Sequence, residues 1–439
     1  MLPALARKRL LCLFSVVALA FVVRPLLIGG DEPHYAAMSA SLAFDRDADL
    51  SNQYREIELA GSSAAGKRFS GTRLGQHLVE KANGPQFGHS LGLPMLAAPF
   101  VWIAGKILHL PWPDPMLGLL TVLSCLAGLA GLVALLGRFL GDDREGLFIA
   151  VLVFCSSPLW FYSRTFFTEP FVWSALAVGS WLLAGRSYLV GGGVLGLAVI
   201  VREPSLVIVV PVVLSVVVLA GWRAASRAVV GPSAGIALVL ARNLLLNGGN
   251  LLDFPQPFKS GNVAAGSIGL LLDSSHGLLP FMPIAILAPI GFFLARSRQE
   301  RVILGCSAAA FVSYFLLAAA WVDWRGGSCF GPRLVVPAIP LLAPAIALVW
   351  RRLYTPALRS LFLAVSAIGA GIEISAIASP FDAFWSAAVG RLVAGSGSAL
   401  ATFAAGTVLA FLSMKRLEVV TLRLGQREST IDATRTRNA

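Results

Sequence analysis

Charged side chains are scarce. Asp, Glu, Lys and Arg make up 13% of the 439 residues, against roughly 25% in a soluble domain. With 56% hydrophobic residues and a mean hydropathy of +0.76, the chain holds more apolar surface than one water-soluble core can cover. A soluble fold is excluded and an integral membrane protein is implied. Cysteine is scarce too, and none of the five lies in a C-x-x-C pair. Cys12, Cys125, Cys155 and Cys306 fall in apolar runs, and Cys329 falls in a polar loop. That excludes a disulfide framework or a zinc site and reads as small buried side chains. Acidic residues are outnumbered, 23 against 35 Lys and Arg, for a net charge of +12. In a membrane protein this excess belongs to cytoplasmic loops, so no nucleic-acid partner is expected.

Apolar runs long enough to cross lie near 10–28, 115–137, 146–162, 170–185, 188–201, 204–221, 228–246, 278–295, 302–320, 334–350, 358–378 and 393–413. The fold class predicted is an all-α polytopic membrane protein of about twelve spans, with a large first outer loop, about 29–114, that carries interfacial helices. Residues 1–416 would form this transmembrane domain, its first span uncleaved, and 417–439 a disordered cytoplasmic tail. The run 91–110 contains Pro94, Pro99, Gly105 and Lys106. If it does not cross, the basic connections "GDDRE", "AGRSY", "GWRAASR", "ARSRQER", "WRRLYTPALR" and "MKR" all share a side with "ARKR" at 6–9. The positive-inside rule demands that arrangement. Residues 91–110 are therefore expected as an interfacial or partly re-entrant helix on the outer surface, with both termini cytoplasmic. The loops without basic clusters then all face outward, which predicts an active face there.

The first such loop opens with "GGDEPHY", residues 29–35. Asp31 and Glu32 precede Pro33, which suits the first position of a helix, and "PHYAAMSASLAF" reads as a short amphipathic helix lying on the membrane. One acid capping that helix is the plain alternative. The functional one is a carboxylate at the membrane surface, where a lipid-linked phosphate would sit. There Asp31 could take a proton from an attacking hydroxyl or hold a divalent cation.

The acid pair directly after the first span resembles the GT-C glycosyltransferases, which include bacterial aminoarabinose transferases and protein O-mannosyltransferases. "GDEPHY" followed by "SLAFDRDADLSNQY" is similar to a bacterial branch in which an acidic pair precedes a "DGDLDL…NNY"-like stretch. "WRGGSCFGPRLVVPAIP" at 324–340 is similar to that branch's "W-x-G-G…G-P-R…P" segment, and "SSHGLLPFMPIAILAPIGF" to its "GL…P" start of a late span. The resemblance covers most of the membrane domain. It does not extend to an outer-face C-terminal domain like that of aminoarabinose transferases, so acceptor recognition does not carry over.

The resemblance implies inverting transfer of a sugar from a polyprenyl-phosphate donor to a lipid, glycan or protein acceptor. It places that transfer at the outer side of a bacterial cytoplasmic membrane. Asp31 would be the base, with Glu32 orienting it or sharing a metal, and His34 and Tyr35 beside them. The departing phosphate needs positive charge, best from arginine forks. Arg333, Arg325 and Arg202 are the outer-face candidates, with Arg164 and Arg24 behind them. Glu169 in "RTFFTEP" is either a helix cap or a second acid. His276 could bind phosphate or orient an acid, and Trp321 and Trp324 could stack on a sugar, although interfacial Trp is the commoner use.

Two motifs mislead. Asp45, Asp47, Asp49 and Glu56 have EF-hand-like spacing, but Leu50 stands where the loop needs Gly. "GGGVLG" at 191–196 mimics a nucleotide fingerprint inside an apolar span, where close helix packing explains it better. Two other function classes remain: a transporter or flippase for a lipid-linked precursor, and a non-catalytic envelope assembly protein. A transporter would show charged groups near the bilayer midplane, whereas the spans here carry almost none apart from Glu373. An assembly protein would not need Asp31, Glu169, Arg202 and Arg333 to converge.

Overall fold

The computed structural model describes residues 30–59, 78–81, 84–110, 114–246, 258–327, 329–352 and 356–378. The predicted first and last spans, Arg24 and the tail lie outside these residues. Helix α1, Glu32–Ala40, runs on through a π turn at Ser41–Asp45, and α2 spans Ser51–Leu59. A hairpin follows, β1 Leu78–Lys81 antiparallel to β2 Gly84–Phe87, with Leu78 opposite Phe87. Helix α3, Gly92–Trp102, continues through a π turn to Ile107. Then come α4 Asp114–Leu140, α5 Asp143–Cys155, the single turn α6 Leu159–Tyr162, α7 Thr168–Ala184 and α8 Tyr188–Val201. A 3₁₀ turn, Glu203–Ser205, leads into α9 Leu206–Ala220, and α10 covers Trp222–Leu246. The last part holds α11 Val263–Leu272, α12 Leu278–Phe281, α13 Ala288–Phe293, α14 Arg298–Ala319, α15 Ala343–Arg352 and α16 Pro356–Ala378.

Six of the described helical segments are long and apolar enough to cross a membrane. They are Pro115–Leu140, Glu203–Ala220, Trp222–Leu245, Arg298–Ala319, Arg333–Arg352 and Leu358–Ile377. The chain is a multi-pass membrane protein. Arg333–Arg352 is almost wholly buried and forms the centre of the bundle. Its first half is a 3₁₀ helix, Arg333–Leu342, because Pro337 and Pro340 withhold the N–H groups an α-helix needs. The predicted span 278–295 is broken for the same reason, into α12, a 3₁₀ stretch at Pro283–Leu287, and α13.

The glycines of "GGGVLG" pack helix on helix. A Cβ on Gly192 would lie 2.1 Å from the Ala228 carbonyl oxygen, and one on Gly196 would lie 2.4 Å from that of Gly231. Helices α8 and α10 therefore touch backbone to backbone.

Arginines close one end of the bundle. Arg351 donates to the Leu140 carbonyl and Arg352 to that of Leu294. Arg352 also pairs with Glu300 at 2.6 Å, and Arg298 donates to the Val218 carbonyl at 3.3 Å. These are carbonyls left over at helix C-termini, so the basic connections of four helices meet there. The junctions that carry the acids and the "GPR" segment meet at the other end.

Three expectations need correction. Helix α1 does not lie on a surface: Glu32, Pro33, His34, Tyr35, Ala37, Met38 and Ser39 are all buried. The connection left between the apolar runs 228–246 and 278–295 contains the apolar helix α11. The first loop also contains a hairpin as well as helices. Gly92–Ile107 is a short apolar helix, below the roughly 20 residues that a perpendicular crossing needs. It packs against α1, α4 and α8.

Candidate functional site

Asp31 sits one residue before α1, and its backbone carbonyl accepts from His34 and Tyr35 N–H, both at 3.1 Å. Its side chain makes no cap to the helix, so the plain capping role does not hold. Oδ2 is instead ion-paired with Nη2 of Arg333. Arg333 opens the central 3₁₀ helix just after Gly331, whose φ of +58° suits glycine. Its Nε donates to Glu169 Oε1 at 2.9 Å. The guanidinium thus spans two carboxylates, and it lies 4.2 Å from the centre of the Phe167 ring.

Glu169 is in the first turn of α7 and is wholly buried. The same Oε1 accepts from Arg202 Nη1 at 2.7 Å. Arg202 Nη1 also reaches the Thr168 hydroxyl at 3.1 Å, and that hydroxyl donates to Glu169 Oε2 at 3.2 Å. Arg202 leaves the end of α8 in an extended conformation, and its side chain is 19% exposed against 10% for Arg333. Asp31, Arg333, Glu169 and Arg202 therefore form one chain of alternating charge, two anions and two cations, drawn from four separate parts of the sequence. Buried charges persist only when paired and hydrogen-bonded, which this alternation provides.

Around this chain lie aromatic hydroxyls. Tyr35 is buried, and burial, then the Asp31 charge, pushes its phenol well above the usual tyrosine range. Tyr314 is buried close to Arg202. The Tyr162 hydroxyl donates to the Phe330 carbonyl at 2.7 Å and ties α6 to the "GPR" loop. Glu373, near the end of α16, accepts from the Phe161 N–H at 3.2 Å and holds α6 from the other side.

Other sequence candidates sit differently. Glu32 accepts the N–H of Phe166, tying α1 to the loop before α7. His34 is fully buried, and its Nδ1 lies 2.7 Å from the Tyr54 hydroxyl, between α1 and α2. Arg164 is half-buried on the loop that leads to Glu169.

His276, Trp324 and Arg325 form a second group. The Arg325 guanidinium lies over the Trp324 ring at 4.4 Å, and His276 meets the same ring edge-on at 6.4 Å. Asp273 accepts from the Ser275 and His276 N–H groups, both at 2.9 Å, and these bonds outweigh burial and lower its carboxyl pKa. Burial pulls the His276 imidazole below its usual range.

Among the described residues, no three His, Cys, Asp or Glu side chains gather as a metal site. Asp31, considered above as a cation ligand, has a guanidinium at Oδ2, so its side chain gives that reading no support.

Sequence reasoning missed His89, whose Nε2 lies 3.9 Å from Asp31 Oδ1. It also missed Thr168 and the pair Glu203–Arg242, joined at 2.7 Å beside Arg202. The one available signal for His89 was rarity, since the chain has only five histidines.

No family model matches the chain, and no curated protein matches it. Solved structures do, among them ArnT from Cupriavidus metallidurans bound to undecaprenyl phosphate and the same protein in the apo state. The first is 17% identical with a TM-score of 0.57, and the second 18% identical with a TM-score of 0.51. Each match covers 94% of this chain and 73% of the ArnT chain. At this identity the match speaks for the fold. Over 94% of its length the chain has the fold of ArnT.

Proposed function

We propose that this protein transfers a sugar, with inversion, from a polyprenyl-phosphate donor to an envelope acceptor at the outer side of the bacterial cytoplasmic membrane. The observation that carries this reading is the convergence of Asp31, Arg333, Glu169 and Arg202 at the end of the bundle opposite the basic connections. An assembly protein has no use for two buried acids braced by two arginines. The solved ArnT complex holds undecaprenyl phosphate within the same fold, which supports a polyprenyl phosphate as the lipid partner here. The one-sided distribution of Lys and Arg supports the outward placement of the site.

In this mechanism the acceptor hydroxyl loses its proton at the Asp31 end of the network. The acceptor oxygen attacks the anomeric carbon from the face opposite the phosphate, and the sugar–phosphate bond breaks with its electron pair on the phosphate. Preorganised positive charge stabilises that developing anion. Arg333 is committed to two carboxylates, whereas Arg202 is the more exposed guanidinium and holds one. Arg202 is therefore the better-placed phosphate ligand, and Arg333 holds the acids in position.

Binding tests this assignment. Undecaprenyl phosphate in about 100-fold excess over its Kd should raise the unfolding free energy of the purified protein by about 2.7 kcal/mol. Arg202→Ala should lose most of that gain in a detergent melting assay. An undiminished ligand-induced shift in Arg202→Ala would move the phosphate elsewhere.

A further inference from the structure

We propose, on the transferase reading above, that Glu373 is a positioning residue for Arg333. Its carboxyl fixes α6, and Tyr162 of α6 holds the loop from which Arg333 projects. Composition alone gives Glu373 no reason to be there, since it lies in the apolar span Leu358–Ile377 and is wholly buried. Its Oε2 accepts the Phe161 N–H at 3.2 Å, and Oε1 has no hydrogen-bond partner among the described residues. A buried carboxyl with one neutral donor gains little stability, because the unpaired oxygen keeps its desolvation cost. What the one bond supplies is the place of α6.

Helix α6 cannot hold itself. It is a single turn, and the first N–H groups of a helix lack partners within it. The Trp160 and Tyr162 N–H groups find the Ser157 and Pro158 carbonyls, at 3.1 and 3.0 Å. The Phe161 N–H goes to Glu373. One turn before Glu373, Gly369 lets α16 close on the end of α5, where an added Cβ would lie 2.5 Å from the Ser156 carbonyl oxygen. That close approach sets the Glu373 carboxyl within reach of Phe161.

From α6 the contacts run on to Arg333. The Tyr162 hydroxyl donates to the Phe330 carbonyl at 2.7 Å, and the Phe161 ring packs on that of Phe330 at 4.3 Å. Phe281 meets the Phe330 ring edge-on at 4.9 Å, and a Cβ on Gly331 would lie 3.0 Å from Phe281, so the loop is closely confined. The Gly331 carbonyl then accepts the Arg333 N–H at 2.9 Å. Glu169 is anchored separately, through the Phe166 N–H that Glu32 accepts. Loss of the Glu373 bond therefore lets Arg333 shift relative to Asp31 and leaves the Glu169–Arg202 pair in place.

The test uses membrane vesicles lacking any other copy of the protein, matched for the amount of each variant and supplied with radiolabelled undecaprenyl-phosphate sugars. Glu373→Gln keeps a carbonyl of the same reach and should turn over within a few-fold of wild type. Glu373→Leu removes the acceptor, and Glu373→Asp keeps a carboxyl but shortens its reach. Each should lose about 10²-fold in kcat, the effect of a displacement of about 1 Å, with KM for the donor near wild type. Tyr162→Phe should show the same loss, and its combination with Glu373→Leu should be no slower than either alone, because both cut one path. Wild-type kcat in Glu373→Leu, Glu373→Asp or Tyr162→Phe, or losses that multiply in the double variant, would overturn the assignment. Glu373→Gln as slow as Glu373→Leu would overturn it too, in favour of a carboxyl that carries protons. Wild-type vesicles that transfer no sugar from any donor would remove the transferase reading itself, a pattern distinct from an active wild type beside an active Glu373→Leu.

Discussion

Asp31→Asn is expected to fold, insert and lose about 10²–10⁴-fold in transfer, equivalent to about 3–5 kcal/mol of barrier. The amide keeps the shape of the carboxylate and can still meet its neighbours. It removes the carboxylate proposed to take the acceptor proton and leaves Arg333 with Glu169 alone. Glu32→Gln is the matched control. The Glu32 side chain accepts a backbone N–H from Phe166, and a glutamine carbonyl can do the same. Transfer by Glu32→Gln should therefore stay near wild type, in membranes containing equal amounts of protein. A dead Glu32→Gln beside an active Asp31→Asn would reverse the roles of the two acids, and two active variants would take both out of the mechanism.

Arg333→Lys is expected to abolish transfer and to lower stability. Arginine places Nε on Glu169 and Nη2 on Asp31, two carboxylates on different elements. A lysine ammonium is a single point charge and cannot reproduce that fork. A lysine held by Asp31 leaves Glu169 to Arg202, and one held by Glu169 breaks the Asp31 pair; breaking a buried pair costs about 3–5 kcal/mol. The measurement is the melting temperature in detergent together with transfer in vesicles. An Arg333→Lys protein that melts and turns over like wild type would show that the two acids do not depend on the fork. Loss of stability should be smaller in Arg202→Lys, since Arg202 is more exposed and Glu169 keeps Arg333.

Much of the membrane architecture was legible because hydrocarbon burial acts on composition over about 20 residues, and a run such as 115–137 shows it directly. The "GPR" segment stood out for a similar local reason, an arginine among prolines at the mouth of an apolar run. Less local facts were hidden. Glu32 is satisfied by Phe166, 134 residues away, so nothing near "GGDEPHY" showed that it ties two elements together. Helix α1 looked like a surface helix because its polar residues were assumed to need water, yet His34 and Glu32 find partners inside the protein. The breaks in 278–295 were written in Pro283 and Pro289, but hydropathy averages over single prolines. Helix α11 is only ten residues long, below the length at which an apolar run reads as a membrane element. His89 carried no motif, and only the fold shows its place beside Asp31.

The most direct measurement is donor turnover itself. Wild-type and Asp31→Asn vesicles, matched for protein, would be given several radiolabelled undecaprenyl-phosphate sugars and followed for free undecaprenyl phosphate and for label in envelope material. Wild type should release the lipid phosphate from one donor in step with labelling of an acceptor, and Asp31→Asn should do neither. Equal release by both proteins, or labelled material without release of undecaprenyl phosphate, would contradict a transferase built on the Asp31–Arg333–Glu169–Arg202 network.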